Sequence, residues 1–120
     1  MKVFSFEKLI AWQKSRELAK EVFKITKSFP KDEQFGMTSQ MRRCSISISS
    51  NLAEGSGRSS MKDKARFTEI AFGSALELLN QLILSHDFEY ITENTYTEIR
   101  QRIAEITLVI DGLHKSQLAK

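Results

Sequence analysis

The chain has 120 residues, of which 41% are apolar and 28% charged, with a formal net charge of +3 and a pI near 9.1. Such totals fit one globular domain, and a mildly basic balance attracts polyanions weakly without naming a partner. They exclude a helical membrane span, because no segment approaches the roughly 20 apolar residues required, and an internal disulfide, because Cys44 is the only cysteine.

One proline and five glycines favour long uninterrupted helices over many short strands. The opening "MKVFSFEKLIAWQKSRE" carries too short and too charged an apolar run for a secretory signal. A lone thiol fits a reducing compartment, so the cytoplasm is the expected location.

Ser5 is positioned to cap a first helix over 6–29, stopped by Pro30. Within it Ala11, Ser15, Leu18, Val22, Ile25 and Phe29 recur at steps of four and three, the seam of a helix packed nearly parallel to its neighbours. Trp12 and Ala19 widen the same face. "PKDEQFGMTSQ" makes a connection, with Gly36 as breaker and Thr38 as the expected cap of a second helix over 37–54.

The stretch "SISISSNLAEGSGRSS" (45–60) has three readings: a half-buried strand, a phosphate-cradling loop, or a helix end followed by a turn and a new helix. Met37, Met41, Cys44, Ile48 and Asn51 or Leu52 share a helical face that begins upstream of the Ser-Ile alternation, so the third reading is preferred. Its serines let a neighbouring helix approach closely, and their hydroxyls can bond back one turn. Gly55 suits a left-handed position past the helix end. Ser60 and Asp63 resemble a capping box.

A third helix over 61–86 carries two stripes, Phe67, Ala71, Ala75, Leu78, Leu82 and Phe72, Leu76, Leu79, Ile83. Together they are wider than the arc a little over 100° that a bundle helix usually buries. The second stripe predicts either unusually deep burial or a seam between protomers. Thr92 caps a fourth helix over 93–118, in which Tyr96, Ile99, Ile103, Ile106, Ile110, Leu113 and Gln117 hold three-four spacing. Four such seams joined by short loops predict an all-α, up-down-up-down antiparallel four-helix bundle in one domain.

Several motifs then match a known family. "FEKLIAWQ" from Phe6 to Gln13, "FPKDE", Gln40 with Arg42 and Arg43, "SISSNLAEG" from Ser47 to Gly55, Arg58, Phe67 and "GSALE" occur in order over nearly the whole chain. In this the chain resembles the small helical proteins encoded in intervening sequences of bacterial 23S ribosomal RNA genes, and the accessory variability proteins of diversity-generating retroelements. One departure is Ser49, where many members carry a proline that kinks the helix. The resemblance implies a ring-like homo-oligomer, usually a pentamer, and a link to RNA or DNA through a basic surface.

The basic residues are the first candidates for that surface. Arg16, Lys20, Lys24, Lys27 and Lys31 share one face if the first helix runs to Lys31. Arg42, Arg43, Arg58, Lys62, Lys64 and Arg66 cluster around the second turn. Such side chains pair with phosphates without reading sequence; the alternative is a solvated face, partly neutralised by Glu17 and Glu21. No aromatic platform for single strands is evident, because the aromatics fall mostly on seams.

Asn51, Glu54, Gly55 and Arg58 form a signature better explained by structure than by chemistry. Glu54 is expected to accept from Arg58 or a neighbouring helix, and Asn51 to satisfy backbone near the turn. "GSG" lacks the Lys-Ser/Thr ending of a P-loop, His86 and His114 have no companions at metal-ligand spacing, and Cys44 lies on a seam without a base. No catalytic residue, cofactor, metal or small-molecule substrate is expected. Two function classes follow: an oligomeric scaffold that binds nucleic acid, or an adaptor that docks a protein on its helical faces.

Overall fold

A computed structural model describes residues 1–120. Four helices, α1 (Ile10–Thr26), α2 (Met37–Ser56), α3 (Met61–Asp87) and α4 (Glu93–Leu118), are accompanied by 3-10 turns at Ser5–Lys8 and Lys31–Glu33, and there is no strand. Contacts run in cyclic order from α1 through α4 and back to α1, and no diagonal pair of helices meets. This is the up-down-up-down bundle, measuring 45 × 30 × 21 Å.

Heptad spacing puts one apolar stripe of each helix on the axis. Leu18 and Val22, Met41 and Ile48, Leu78 and Leu82, and four isoleucines of α4 interlock there with almost no exposure. Burying each such side chain contributes about 1.5–3 kcal/mol. Ser15 occupies a seam position and is fully buried, its hydroxyl donating to the Ala11 carbonyl at 2.6 Å.

The first helix is shorter than its pattern. Ser5 caps nothing; it opens the 3-10 turn, where the Phe4 amide donates to the Glu7 carboxylate at 2.8 Å. The α-helix begins only at Ile10 and ends at Thr26, three residues before Phe29, which still reaches the core. The terminating contacts are local: Thr26 turns its hydroxyl back to the Val22 carbonyl at 2.7 Å. Lys31, in the separate turn after Pro30, therefore does not continue the basic row of α1.

Gly36, not Thr38, occupies the N-cap of α2, and Thr38 is buried inside the helix. The capping acceptor is Glu33, whose carboxylate takes the Met37 amide at 3.2 Å, and it also accepts the Tyr90 hydroxyl at 2.6 Å. One carboxylate thus ties the α1–α2 connection to the α3–α4 connection. The helix runs through the whole Ser-Ile alternation, with Ile48 buried and Ile46 exposed.

Gly55 also departs from expectation. It lies within α2, no glycine in the chain has positive φ, and α2 ends at Ser56 with Gly57 as its C-cap. What requires glycine is proximity: a Cβ at Gly55 would stand 2.7 Å from Phe67 Cβ on α3. At the start of α3, Ser60 accepts the Asp63 amide, and at the start of α4, Thr92 accepts the Thr95 amide, both at 3.1 Å.

Candidate nucleic-acid interface

The basic residues separate into groups that their sequence positions do not reveal. Arg16, Lys20, Lys24 and Lys27 line one open groove of about 470 Å³ between α1 and α2, together with Trp12, Ala19, Phe23 and Ser49. Lys20 pairs with Glu17 at 3.4 Å, an exposed i,i+3 contact of little energetic consequence. Arg16, Lys24 and Lys27 have no carboxylate in ion-pair range. Ser49, the position of the family proline, faces this groove without interrupting α2, and its hydroxyl bonds the Ile46 carbonyl at 3.1 Å.

Arg42 and Arg43 diverge because adjacent helical residues point about 100° apart. Arg42 turns toward α1. Its Nε donates to Thr26 Oγ1 at 2.9 Å, one Nη donates to the Phe23 carbonyl at 3.4 Å, and the guanidinium covers the Phe23 ring at 4.8 Å. It is committed to holding the end of α1. Arg43 turns toward α3 and lines a small polar cleft with Gln40, Ser47, Ser74 and Glu77.

Around the α2–α3 turn, Arg58 and Arg66 both lie over Phe67, at 4.4 and 5.0 Å from its centroid. Lys64 donates its ammonium to the Ser56 carbonyl at 2.8 Å. This lysine places a positive charge at the C-terminus of α2, where the helix dipole favours one. Arg58 does approach Glu54, but at 3.9 Å with the two side chains 43% and 60% exposed, a weak surface pair. Lys62 is exposed and makes no ion pair. A cavity of about 260 Å³ opens at this end of the bundle among Leu9, Leu52, Met61 and Leu113, and its Lys64 is the residue already bonded to Ser56.

Asn51 acts within α2 rather than at the turn: its amide nitrogen donates to the Ser47 carbonyl at 2.8 Å and lies 3.1 Å from the Ser47 hydroxyl. Ser47 in turn shares a 2.9 Å hydrogen bond with Ser74 of α3. One step along the same interface, the Cys44 thiol donates to the Ser74 carbonyl at 3.3 Å and to Glu77 at 3.2 Å. Burial first, then the Glu77 hydrogen bond and charge, push that thiol up to about 12, so it is protonated and not nucleophilic.

On α3, Phe72 and Leu79 pack against the core of their own bundle, Ile83 is half-buried and Leu76 is 48% exposed. His86 stacks on Tyr96 beside Glu93, and His114 stands 3.4 Å from Glu69. No cluster of three or more His, Cys, Asp or Glu side chains has a metal-holding arrangement. No helix is long and apolar enough to cross a membrane.

The participation of Trp12 and Phe23 in the basic groove is the feature that reading the seam alone overlooks. Residues 12, 16, 20, 23 and 27 share a helical face beside the 11, 15, 18, 22 seam, and that spacing was available to find it.

No curated protein matches the chain in sequence. A crystal structure of a protein of unknown function from the S23 ribosomal protein family of Bacteroides thetaiotaomicron VPI-5482 superposes with a TM-score of 0.80 at 28% identity, covering 88% of this chain and 99% of that one. The model of the 23S rRNA-intervening sequence proteins matches residues 7–112. With its four-helix bundle and motif order, the chain belongs to the 23S rRNA-intervening sequence protein family.

Proposed function

We propose that the protein is a non-catalytic, cytoplasmic, oligomeric helical scaffold that binds RNA or DNA through the α1–α2 groove. The observation that carries this reading is the row of Arg16, Lys20, Lys24 and Lys27 along one groove, three of them free of carboxylate partners. A row of cations on a rigid helix meets phosphates at the cost of few ordered side chains, and releases counterions on doing so. Lys62 and Arg43 lie outside this groove and are secondary to it. Leu76, with the half-buried Phe72, Leu79 and Ile83 beside it, is the proposed contact between protomers, and a pentamer is the assembly implied by the family resemblance.

The test is fluorescence anisotropy with labelled RNA and DNA across a salt series. Affinity falls linearly with salt on logarithmic axes, with a slope of about −0.7 per phosphate contacted on a single strand or −0.9 on a B-form duplex. Absence of binding at the lowest salt ends the proposal. A mass equal to one chain by light scattering at micromolar concentration removes the oligomer without touching the groove.

A further inference from the structure

We infer that the α1–α2 groove takes single-stranded rather than duplex nucleic acid, with Trp12 as the surface on which a base packs. This rests on the nucleic-acid reading above and specifies its substrate. The groove combines the two parts that single-strand sites use, cations along the backbone path and an aromatic ring for a base face. Arg16, Lys20 and Lys24 rise in steps of about 6 Å along α1, the order of the spacing between successive phosphates on one extended strand. A duplex keeps its base faces stacked inside, so it can use the cations but not the ring.

The two aromatic residues of the groove are not equivalent. Phe23 lies beneath Arg42, and that guanidinium is fixed by its bonds to Thr26 and the Phe23 carbonyl. Trp12 lies beneath Arg16 at 5.6 Å, and Arg16 has neither a hydrogen-bond partner nor an ion pair. Trp12 is half-buried, its inner part packed against the core, so Arg16 is able to leave the indole for a phosphate and a base takes its place on the part of the ring that lines the groove. The indole itself is held in position by an edge-to-face contact with Phe6 at 5.0 Å and 71°. The turn carrying Phe6 is tied down by the Glu7 carbonyl, which accepts from Gln13 at 2.8 Å. A stack of this kind is tolerant of base identity.

Trp12 is the only tryptophan in the chain, so the intact protein carries its own reporter. The experiment titrates it with oligothymidylate, oligouridylate and a blunt duplex of matched length, following anisotropy of the labelled strand and tryptophan emission together. Expected are quenching of Trp12 by the single strands with the same midpoint as the anisotropy, and single-strand affinity about tenfold above that of the duplex, the factor one base–aromatic stack supplies. Trp12→Ala lowers single-strand affinity by about the same factor and leaves duplex affinity unchanged. Should that variant fold poorly, Trp12→Phe, which keeps a ring, retains most of the single-strand preference. Binding that leaves Trp12 emission unchanged, or equal affinity for duplex and single strand, overturns this inference and leaves the proposed function standing. No anisotropy change with any of the three probes at low salt overturns both.

Discussion

The two faces of α2 are built in opposite ways. Toward α3 it presents Cys44, Ser47 and Gly55 against Phe67 and Ser74, small groups that bring the helices close and pair their polar atoms across the contact. Toward α1 it faces Trp12, Phe23 and a row of long cations that line an open groove. Close packing with satisfied polar groups stabilises but leaves no room for a ligand. The open side leaves Arg16, Lys24 and Lys27 exposed and without carboxylate partners, where a partner of opposite sign can reach them. Stability and candidate function therefore occupy opposite faces of one helix, and perturbing one face is expected to spare the other.

The largest expected effect concerns the closed face. With its thiol pushed up to about 12, Cys44 should react with iodoacetamide at mildly alkaline pH about three orders of magnitude more slowly than a free cysteine, whose pKa is about 8.5. Reaction at the free rate in the folded protein would show that the α2–α3 contact opens readily. Next comes the open face: the double variant Lys20→Glu, Lys24→Glu should weaken nucleic-acid binding by an order of magnitude or more at low salt. It should also reduce the salt slope by about one per lysine. Its urea midpoint should move by no more than about 0.5 kcal/mol equivalent, because both side chains are exposed.

Gly55→Ala should cost about 1–3 kcal/mol in urea unfolding, since the new methyl meets Phe67 Cβ at 2.7 Å and backbone must shift to admit it. Gly57→Ala is the control. Its Cβ touches only the Glu54 carbonyl, at 3.5 Å, and its φ of −89° suits any residue, so stability should hold or rise by about 0.4–1 kcal/mol. Equal losses at the two positions would refute the close-approach explanation.

The smallest effect belongs to the bundle end. The Tyr90 hydroxyl, and after it the Met37 amide, hold the Glu33 carboxyl below the usual carboxylate range. A folded-state value below the unfolded one contributes stability that is present above the ordinary range and lost as pH falls through the lowered value. Tyr90 itself is raised to about 12 by Glu33, so its part is present below about 10 and lost as pH rises through that raised value. Tyr90→Phe should therefore flatten the decline of melting temperature on acidification and lessen the alkaline decline, to which the raised Cys44 thiol still contributes. An unchanged profile would mean that Glu33 and Tyr90 do not hold the two connections together.

Much of the bundle was legible because heptad periodicity is a local signal. Positions such as Leu18, Ile48, Leu78 and Ile103 declare their face through neighbours three and four residues away. The caps at Ser60 and Thr92 are equally local. The groove was only partly legible: the cationic row and the place of Trp12 beside the seam, where it packs against the core, are local patterns, but the groove that the same indole lines, and the end of α1 at Thr26 short of Lys31, are not. Glu33 as the cap of α2 and Lys64 as the counter-charge at its other end were missed, because each partner comes from a different part of the chain. Gly55 was assigned the wrong constraint, since a glycine forced by φ and one forced by a neighbour look alike in sequence.

By itself the sequence determined four amphipathic helices, their order and the side of each that faces the axis, because these follow from the period of the backbone and the aversion of apolar side chains to water. Only the tertiary structure decided which of two adjacent arginines is locked and which is free, which helix pair closes and which stays open, and which aromatic ring a ligand can reach. Those outcomes depend on distances between residues far apart in the chain, and spacing along one helix does not carry them.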